Sequence, residues 1–219
     1  MNTAYPSHVY PIDDSTVSVG RKAVISRQDI IEAALKLVGP HRSVSTLSLR
    51  EVAREAGIAP NSFYRQFRDM DELAVALIER AGSSLRQIIG EARNRAVADD
   101  SVVRSSIEAF MDQLHADDRL LHILLREGTV GSDAYKQAVD KQLSFFEEEL
   151  RLDLIRLAQA SDSALFEPAL TAKAITRLVF AMAASALDVP LAQHAVLTEE
   201  LILMVRIIIA GTQAMAESA

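Results

Sequence analysis

The sequence predicts an all-α protein in two parts, a small N-terminal helical unit and a larger helical body. Three observations lead there. Apolar residues recur three and four positions apart along most of the chain, with no strand-like alternation and no internal repeat. Helix breakers are few, eight Gly and six Pro in 219 residues, and most fall between the periodic stretches. Ser or Asp stands just before several of those stretches, where a side-chain oxygen can satisfy free backbone N–H groups.

Residues 1–23 carry no period and hold Arg21 and Lys22 near their end. They read as a flexible, basic-ended arm, either touching phosphate or the minor groove or simply solvated. Ser26 can cap a first helix to Val38, with Ile30, Ala33, Ala34, Leu37 and Val38 on one face and Gly39 and Pro40 ending it. Ser48 and Glu51 form a capping box for a second helix whose stripe is Leu49, Val52, Ala53 and Ala56. Gly57 suits the left-handed position that stops it. Pro60 fits the first position of a third helix. Phe63 and Phe67, four apart, pack inward and leave Asn61, Ser62, Tyr64, Arg65 and Gln66 on the other faces. Asp69 with Glu72 reads as another capping box, opening a helix over about 70–98 that joins the two parts.

Five more helical segments follow, 101–115, 117–127, 132–159, 168–188 and 195–216, with breaks at 116–117, 128–131, 160–167 and 189–190. The last two differ from the rest. Leu197, Leu201, Met204, Val205, Ile208 and Ile209 make one apolar face, and Ile202, Leu203 and Ile207 much of a second. Ala172, Ala174, Ala181, Ala183, Ala184, Ser185 and Ala186 keep 168–188 slim. A helix apolar nearly all round must be covered on both sides. Helices 168–188 and 195–216 therefore predict a homodimer interface of four helices; the alternative is a pair buried within one chain.

A net charge of −7 argues at first sight against a nucleic-acid partner. The distribution reverses this. Residues 20–68 hold nine Lys or Arg against four Asp or Glu, a net +5, which leaves −12 for the remainder. A basic module can make phosphate contacts while an acidic body limits indiscriminate binding. The chain has no Cys, which excludes disulfides, thiol nucleophiles and Cys metal sites and suits a reducing cytoplasm. The longest apolar run, 201–211, is broken by Arg206 and falls short of the ~18–20 residues that span a bilayer, so no membrane partner is expected. No secretory signal opens the chain.

No Gly-rich phosphate loop follows a strand, and no Ser or Lys sits in a catalytic pattern, so neither an enzyme nor a cofactor is predicted. His115, Asp118 and His122 could share a helix face as metal ligands, but Asp118 reads better as a cap or helix start, and no metal site is assigned. Glu147, Glu148 and Glu149 read as a solvated run.

Helix, short Gly turn and helix is the helix-turn-helix pattern, whose second helix enters the major groove N-terminal end first. Ser and Tyr hydroxyls suit phosphate; Asn, Gln and Arg can pair with base edges. The segment resembles the DNA-binding domain of the TetR family of bacterial transcriptional regulators. The resemblance rests on Leu49-Arg50-Glu51-Val52-Ala53-Arg54-Glu55-Ala56-Gly57-Ile58, then Tyr64-Arg65-Gln66-Phe67, then Glu72-Leu73. The run from Ser48 to Pro60, Phe67 to Leu73, and the later Leu124-Leu125-Arg126-Glu127 are similar to the unsaturated fatty acid biosynthesis repressors within it. The chain departs from the family at Gln66, where His is common, at Met70, where a phosphate-touching Lys is common, and at Ala59, where a Ser or Thr cap is common.

The resemblance implies a helix-turn-helix domain over 24–72 and a ligand-binding and dimerisation domain over 73–216. DNA contacts are expected from Ser48, Arg50, Pro60, Asn61, Ser62, Tyr64, Arg65, Gln66 and Arg68, with Arg65 or Arg68 replacing the missing Lys. The implied partners are a palindromic double-stranded operator, a second copy, and an apolar effector, a long acyl chain delivered as acyl-CoA or acyl carrier protein. Phe110, Met111, Leu114, Leu121, Leu124, Phe145, Phe146, Leu178, Phe180 and Met182 could line its tunnel, although the same spacing serves an ordinary core. Arg126 or Arg177 could meet a thioester or phosphate. Two alternatives stand beside this: a related regulator of efflux or catabolism with another apolar effector, and a helical lipid carrier or interaction module whose helix-turn-helix is only structural.

Overall fold

The computed structural model describes residues 25–39, 42–96, 99–116 and 120–218. The arm 1–23, the break at Pro40 and Asp118 lie outside the described residues. Among those described, the chain folds into α1 (Arg27–Leu37), α2 (Leu49–Glu55), α3 (Pro60–Phe63), α4 (Met70–Arg95), α5 (Asp99–Asp112), α6 (Leu120–Val130), α7 (Asp133–Ala160), α8 (Pro168–Ala186) and α9 (His194–Glu217). A 3-10 turn at Val44–Thr46 precedes α2 and another at Leu191–Gln193 precedes α9. No strand forms among these residues; one isolated bridge pairs Gly39 with Arg42.

The helix starts follow from the caps. Ser26 Oγ accepts from the Asp29 N–H at 3.1 Å while Asp29 accepts from the Ser26 N–H at 2.8 Å. Ser48 and Glu51 reciprocate in the same way at α2, at 3.3 and 3.1 Å. Each such cap contributes about 1 kcal/mol. The Asp69 box is only half made. Asp69 accepts from the Glu72 N–H at 2.8 Å, but the Glu72 carboxylate reaches one residue further back, to the Arg68 N–H.

Gly57 sits at φ +68, and the Ile58 N–H closes back onto the Ala53 carbonyl at 2.9 Å. Nothing lies within 4 Å of where a Cβ would stand, so the backbone conformation alone requires glycine. Gly57→Ala should cost about 1 kcal/mol, read as a lower urea midpoint with unchanged helix content.

Some boundaries differ from expectation. α4 ends at Arg95, not near 98, and α5 ends at Asp112 rather than 115. The segment expected at 117–127 is Leu120–Val130, so the helix runs through Gly128. A Cβ on Gly128 would stand 3.1 Å from Val139 Cγ1. That glycine serves the close approach of α6 and α7, not a helix stop.

α4 is the shared member of the fold. It packs with α1 and, along its length, against α5, α6 and α7. Gly82 marks a close crossing with α7, where a Cβ would collide with the Gln142 side chain. One continuous core runs from Ile30 and Phe63 through Leu77 and Leu85 to Phe180 and Val205. α8 has the length and apolar composition of a membrane span although Lys173 and Arg177 interrupt its apolar run. It is a core helix here, with Ala172, Ile175, Val179, Phe180 and Ala183 buried between α7 and α9.

α9 corrects the expected face. Leu201, Ile202 and Val205 are buried, while Leu203, Met204 and Ile207 are exposed. Ile202 and Met204 exchange the sides assigned to them. At ~100° per residue the buried stripe 201–202–205 leaves Met204 outside.

Candidate nucleic-acid interface and ligand cavity

Phe63 and Phe67 are 0% and 1% exposed, with ring centroids 5.6 Å apart, and they fasten α3 to the core. Ala59 supplies no side-chain cap. The uncapped helix is accordingly short. One α-turn, Pro60–Phe63, is followed by a tighter turn in which the Gln66 and Phe67 N–H groups both donate to the Phe63 carbonyl. The third helix expected from Pro60 is thus one turn and a tightened continuation.

Of the nine expected DNA residues, Pro60, Asn61, Tyr64 and Arg65 stand exposed on this projection, Tyr64 at 60%, and Ser62 is half-buried beside them. Arg50 is exposed on α2 and, like Arg54 and Arg65, makes no ion pair among the described residues. Ser48 is exposed, but its hydroxyl is engaged with Glu51 at 2.7 Å. The Ser48 hydroxyl first, then Arg42, hold the Glu51 carboxyl down to about 2. Arg68 is exposed with its Nε on Asp69 at 2.8 Å.

Gln66 is the correction. It is half-buried, and its Nε2 donates to the Ile25 carbonyl at 3.0 Å. Its amide ties down the chain just ahead of α1 instead of facing outward as a base reader. Arg27 is also structural, lying 4.4 Å over the Phe67 ring.

Two side chains of the body reach back to this unit. Glu127, 0% exposed on α6, accepts from Ser43 Oγ at 2.6 Å and from the Val44 N–H at 2.8 Å. Tyr135 on α7 donates to Asp71 at 2.7 Å. Burial, then Asp71, pushes its phenol well above the usual tyrosine range. The α6–α7 hairpin therefore grips both the 3-10 turn before α2 and the first turn of α4.

An apolar cavity of about 100 Å³ lies among α4, α5, α7, α8 and α9. Three expected residues line it, Phe110, Phe146 and Phe180, in edge-to-face contacts at 5.1 and 5.3 Å. The others do not. Met111, Leu114, Leu121 and Leu124 are buried in the core away from its wall, and Leu178 and Met182 pack half-buried against that core. Phe145 is 42% exposed under the Arg86 guanidinium. The residues expected to line it are mostly large, whereas the wall is mostly Val, Leu and Ile, including Val102, Ile107, Leu154 and Val179. Arg93 and Asp153 also stand in the wall, and neither was expected there. Their signal was legible: each is a charge on an apolar stripe, Arg93 four after Ile89 and Asp153 three after Leu150.

Arg177 is paired on the outside with Glu147 at 2.6 Å and Asp140 at 2.7 Å, and neither it nor Arg126 lines the cavity. Glu147 is accordingly a partner in that pair, not simply solvated. His115 Nε2 lies 2.9 Å from His194 Nδ1, and His122 is buried on α6. No cluster of three possible metal ligands occurs among the described residues.

Comparison with known proteins fits this geometry. Residues 30–77 match the family described as "Bacterial regulatory proteins, tetR family". The chain resembles a tetR-family transcriptional regulator from Streptomyces coelicolor at 22% identity over 88% of this chain and 83% of that one, TM-score 0.66. It resembles the fatty acid degradation regulator FadR from Bacillus halodurans at 16% over 80% and 94%, TM-score 0.63. The SmeT–triclosan complex is similar at 17% over 84% and 90%, TM-score 0.65.

Proposed function

We propose, on the premise that residues 30–77 are a tetR-family DNA-binding segment on a tetR-like helical body, that this chain is a cytoplasmic, ligand-responsive transcriptional repressor acting as a homodimer. The observation that carries the reading is the exposed set Asn61, Tyr64 and Arg65 on a turn anchored by buried Phe63 and Phe67. The exposed Arg50 and Arg54 beside it supply phosphate contacts. The DNA-binding domain is taken as 24–72 and the effector and dimerisation domain as 73–216. Paired through α8 and α9, two copies would set their recognition turns about one DNA turn apart, ~34–36 Å, and read a palindrome. α4 begins beside the recognition turn and ends at the cavity, so a ligand acts on the helix that follows the reading surface.

For the effector we favour a long acyl chain, as acyl-CoA or acyl carrier protein, and genes of fatty acid synthesis or desaturation as targets. The acyl-repressor resemblance of the helix-turn-helix and the apolar cavity support this. A regulator of efflux or catabolism is the second reading. It is favoured by the modest cavity volume and by the likeness to a protein solved with triclosan. A native mass spectrum of the purified protein separates them by the mass of any retained ligand.

A gel shift against DNA upstream of its own gene tests the repressor reading. Salt-sensitive, palindrome-dependent binding is expected, and its absence would sink the proposal. Tyr64→Phe should weaken binding to all sequences by about 2- to 10-fold, the worth of one hydrogen bond. Asn61→Ala should instead relax preference at one base position, by about 1–3 kcal/mol. If neither variant changes affinity, the recognition turn lies elsewhere.

A further inference from the structure

The described wall of the apolar cavity contains a single pair of opposite charges, Arg93 on α4 and Asp153 on α7. Both residues also line an open cleft with Glu149 and Arg156, so the pair stands between the cavity and that cleft. Arg93 Nε lies 2.6 Å from Asp153 Oδ2, and the side chains are only 12% and 15% exposed. A sequestered ion pair costs desolvation and is often no more stabilising than apolar residues of the same volume. Stability alone therefore gives no reason for one in this wall.

The neighbouring charges give the reason. Asp153 also holds Arg156. Glu149 holds Arg86 at 3.1 Å and is 3.8 Å from Arg93. If Arg93 is drawn away, both carboxylates keep a guanidinium. If Asp153 is drawn away instead, Arg93 is left with only the 3.8 Å contact. Three guanidinium groups also face two carboxylates here. The set is arranged to release Arg93 to an incoming anion at little electrostatic cost.

We infer that Arg93 receives the acidic head, a carboxylate or a phosphate, of an amphipathic effector whose apolar body fills the cavity; this rests on the reading of that cavity as the effector site. Asp153 turns outward to Arg156 as the head arrives. Because Arg93 is part of α4, the exchange acts on the helix that begins beside the recognition turn.

Isothermal titration of the whole protein with decanoate, decyl phosphate, 1-decanol and decylamine tests this. At least one acid should bind about tenfold or more tightly than the alcohol, in line with a charge-assisted contact in a dry site, and the tighter acid names the head group. Arg93→Gln should bring the acids down to the alcohol's affinity and leave the alcohol unchanged. Asp153→Asn, which removes the competing carboxylate, should tighten the acids alone. Equal binding of acid and alcohol to the unaltered protein, tighter binding of the amine, or an acid preference that survives in Arg93→Gln overturns the assignment of Arg93 and leaves the effector cavity standing. Binding of none of the four removes the cavity reading itself.

Discussion

Glu127→Ala is expected to destabilise the protein by about 3 kcal/mol and to loosen the helix-turn-helix on the body. Glu127 is fully buried, and its Oε1 is the acceptor for the Val44 N–H and the Ser43 hydroxyl. Ser43 retains Ser45 as a partner at 2.6 Å, but Val44, 2% exposed, has no such substitute in view. An orphaned buried N–H costs about 1–3 kcal/mol, and the truncated side chain leaves a void that adds to it. Glu127→Gln separates the two effects. It keeps a carbonyl oxygen for Val44 and should stay within about 1 kcal/mol of the parent, since hydrogen bonding and volume are retained. Urea unfolding gives the stability, and hydrogen exchange at the Val44 amide gives the local effect. An unchanged midpoint with Val44 still protected in the alanine variant would show that Glu127 does not hold the two parts together.

Ile207→Glu is expected to yield a monomer and to lower operator affinity by at least about 100-fold. Ile207 is 62% exposed and lies with Leu203 at 59% and Met204 at 37% on the outer side of α9, and Leu170 on α8 is exposed at 62%. Ala174 and Ala181 of α8 and Ala210, Gly211 and Ala214 of α9 are also exposed and leave room for close helix contact. Exposed apolar residues grouped in this way on a helix mark an interaction face. A charge at the centre of an isologous interface appears twice, once from each copy, and central residues carry ~2–4 kcal/mol or more. Light scattering reads the oligomeric state and a gel shift the affinity. A variant that remains dimeric would place the interface on another surface. Loss of the dimer with full operator affinity would mean that each copy reads DNA alone.

The helix-turn-helix was legible because its signals are local. Ser26, Ser48 with Glu51, Gly57 and Pro60 each act within four residues of themselves, and the structure realises each at its expected place. Phe63 and Phe67 announce their buried side by their spacing alone. The cavity was less legible. Apolar periodicity names the side of a helix that turns inward, but the core and a cavity wall share that side. Phe110, Phe146 and Phe180 meet across a gap that only the packing of α5, α7 and α8 creates. Met111 and Leu124 satisfy the same pattern and are buried off the wall of this cavity.

The sequence by itself determined the helical class, the caps, the left-handed stop at Gly57 and a basic segment within an acidic chain. These depend on backbone satisfaction and on the count of charges, which a linear order carries. The tertiary structure alone decided that Gln66 turns back to Ile25, that Ile202 and not Met204 faces the core, and that Glu127 grips Val44 across 83 residues. It also brought Arg93 opposite Asp153 in the cavity wall. Each of these depends on which helix faces which. That choice is made by the fit of side chains and by glycine approaches such as Gly82 against Gln142, and no local periodicity encodes it.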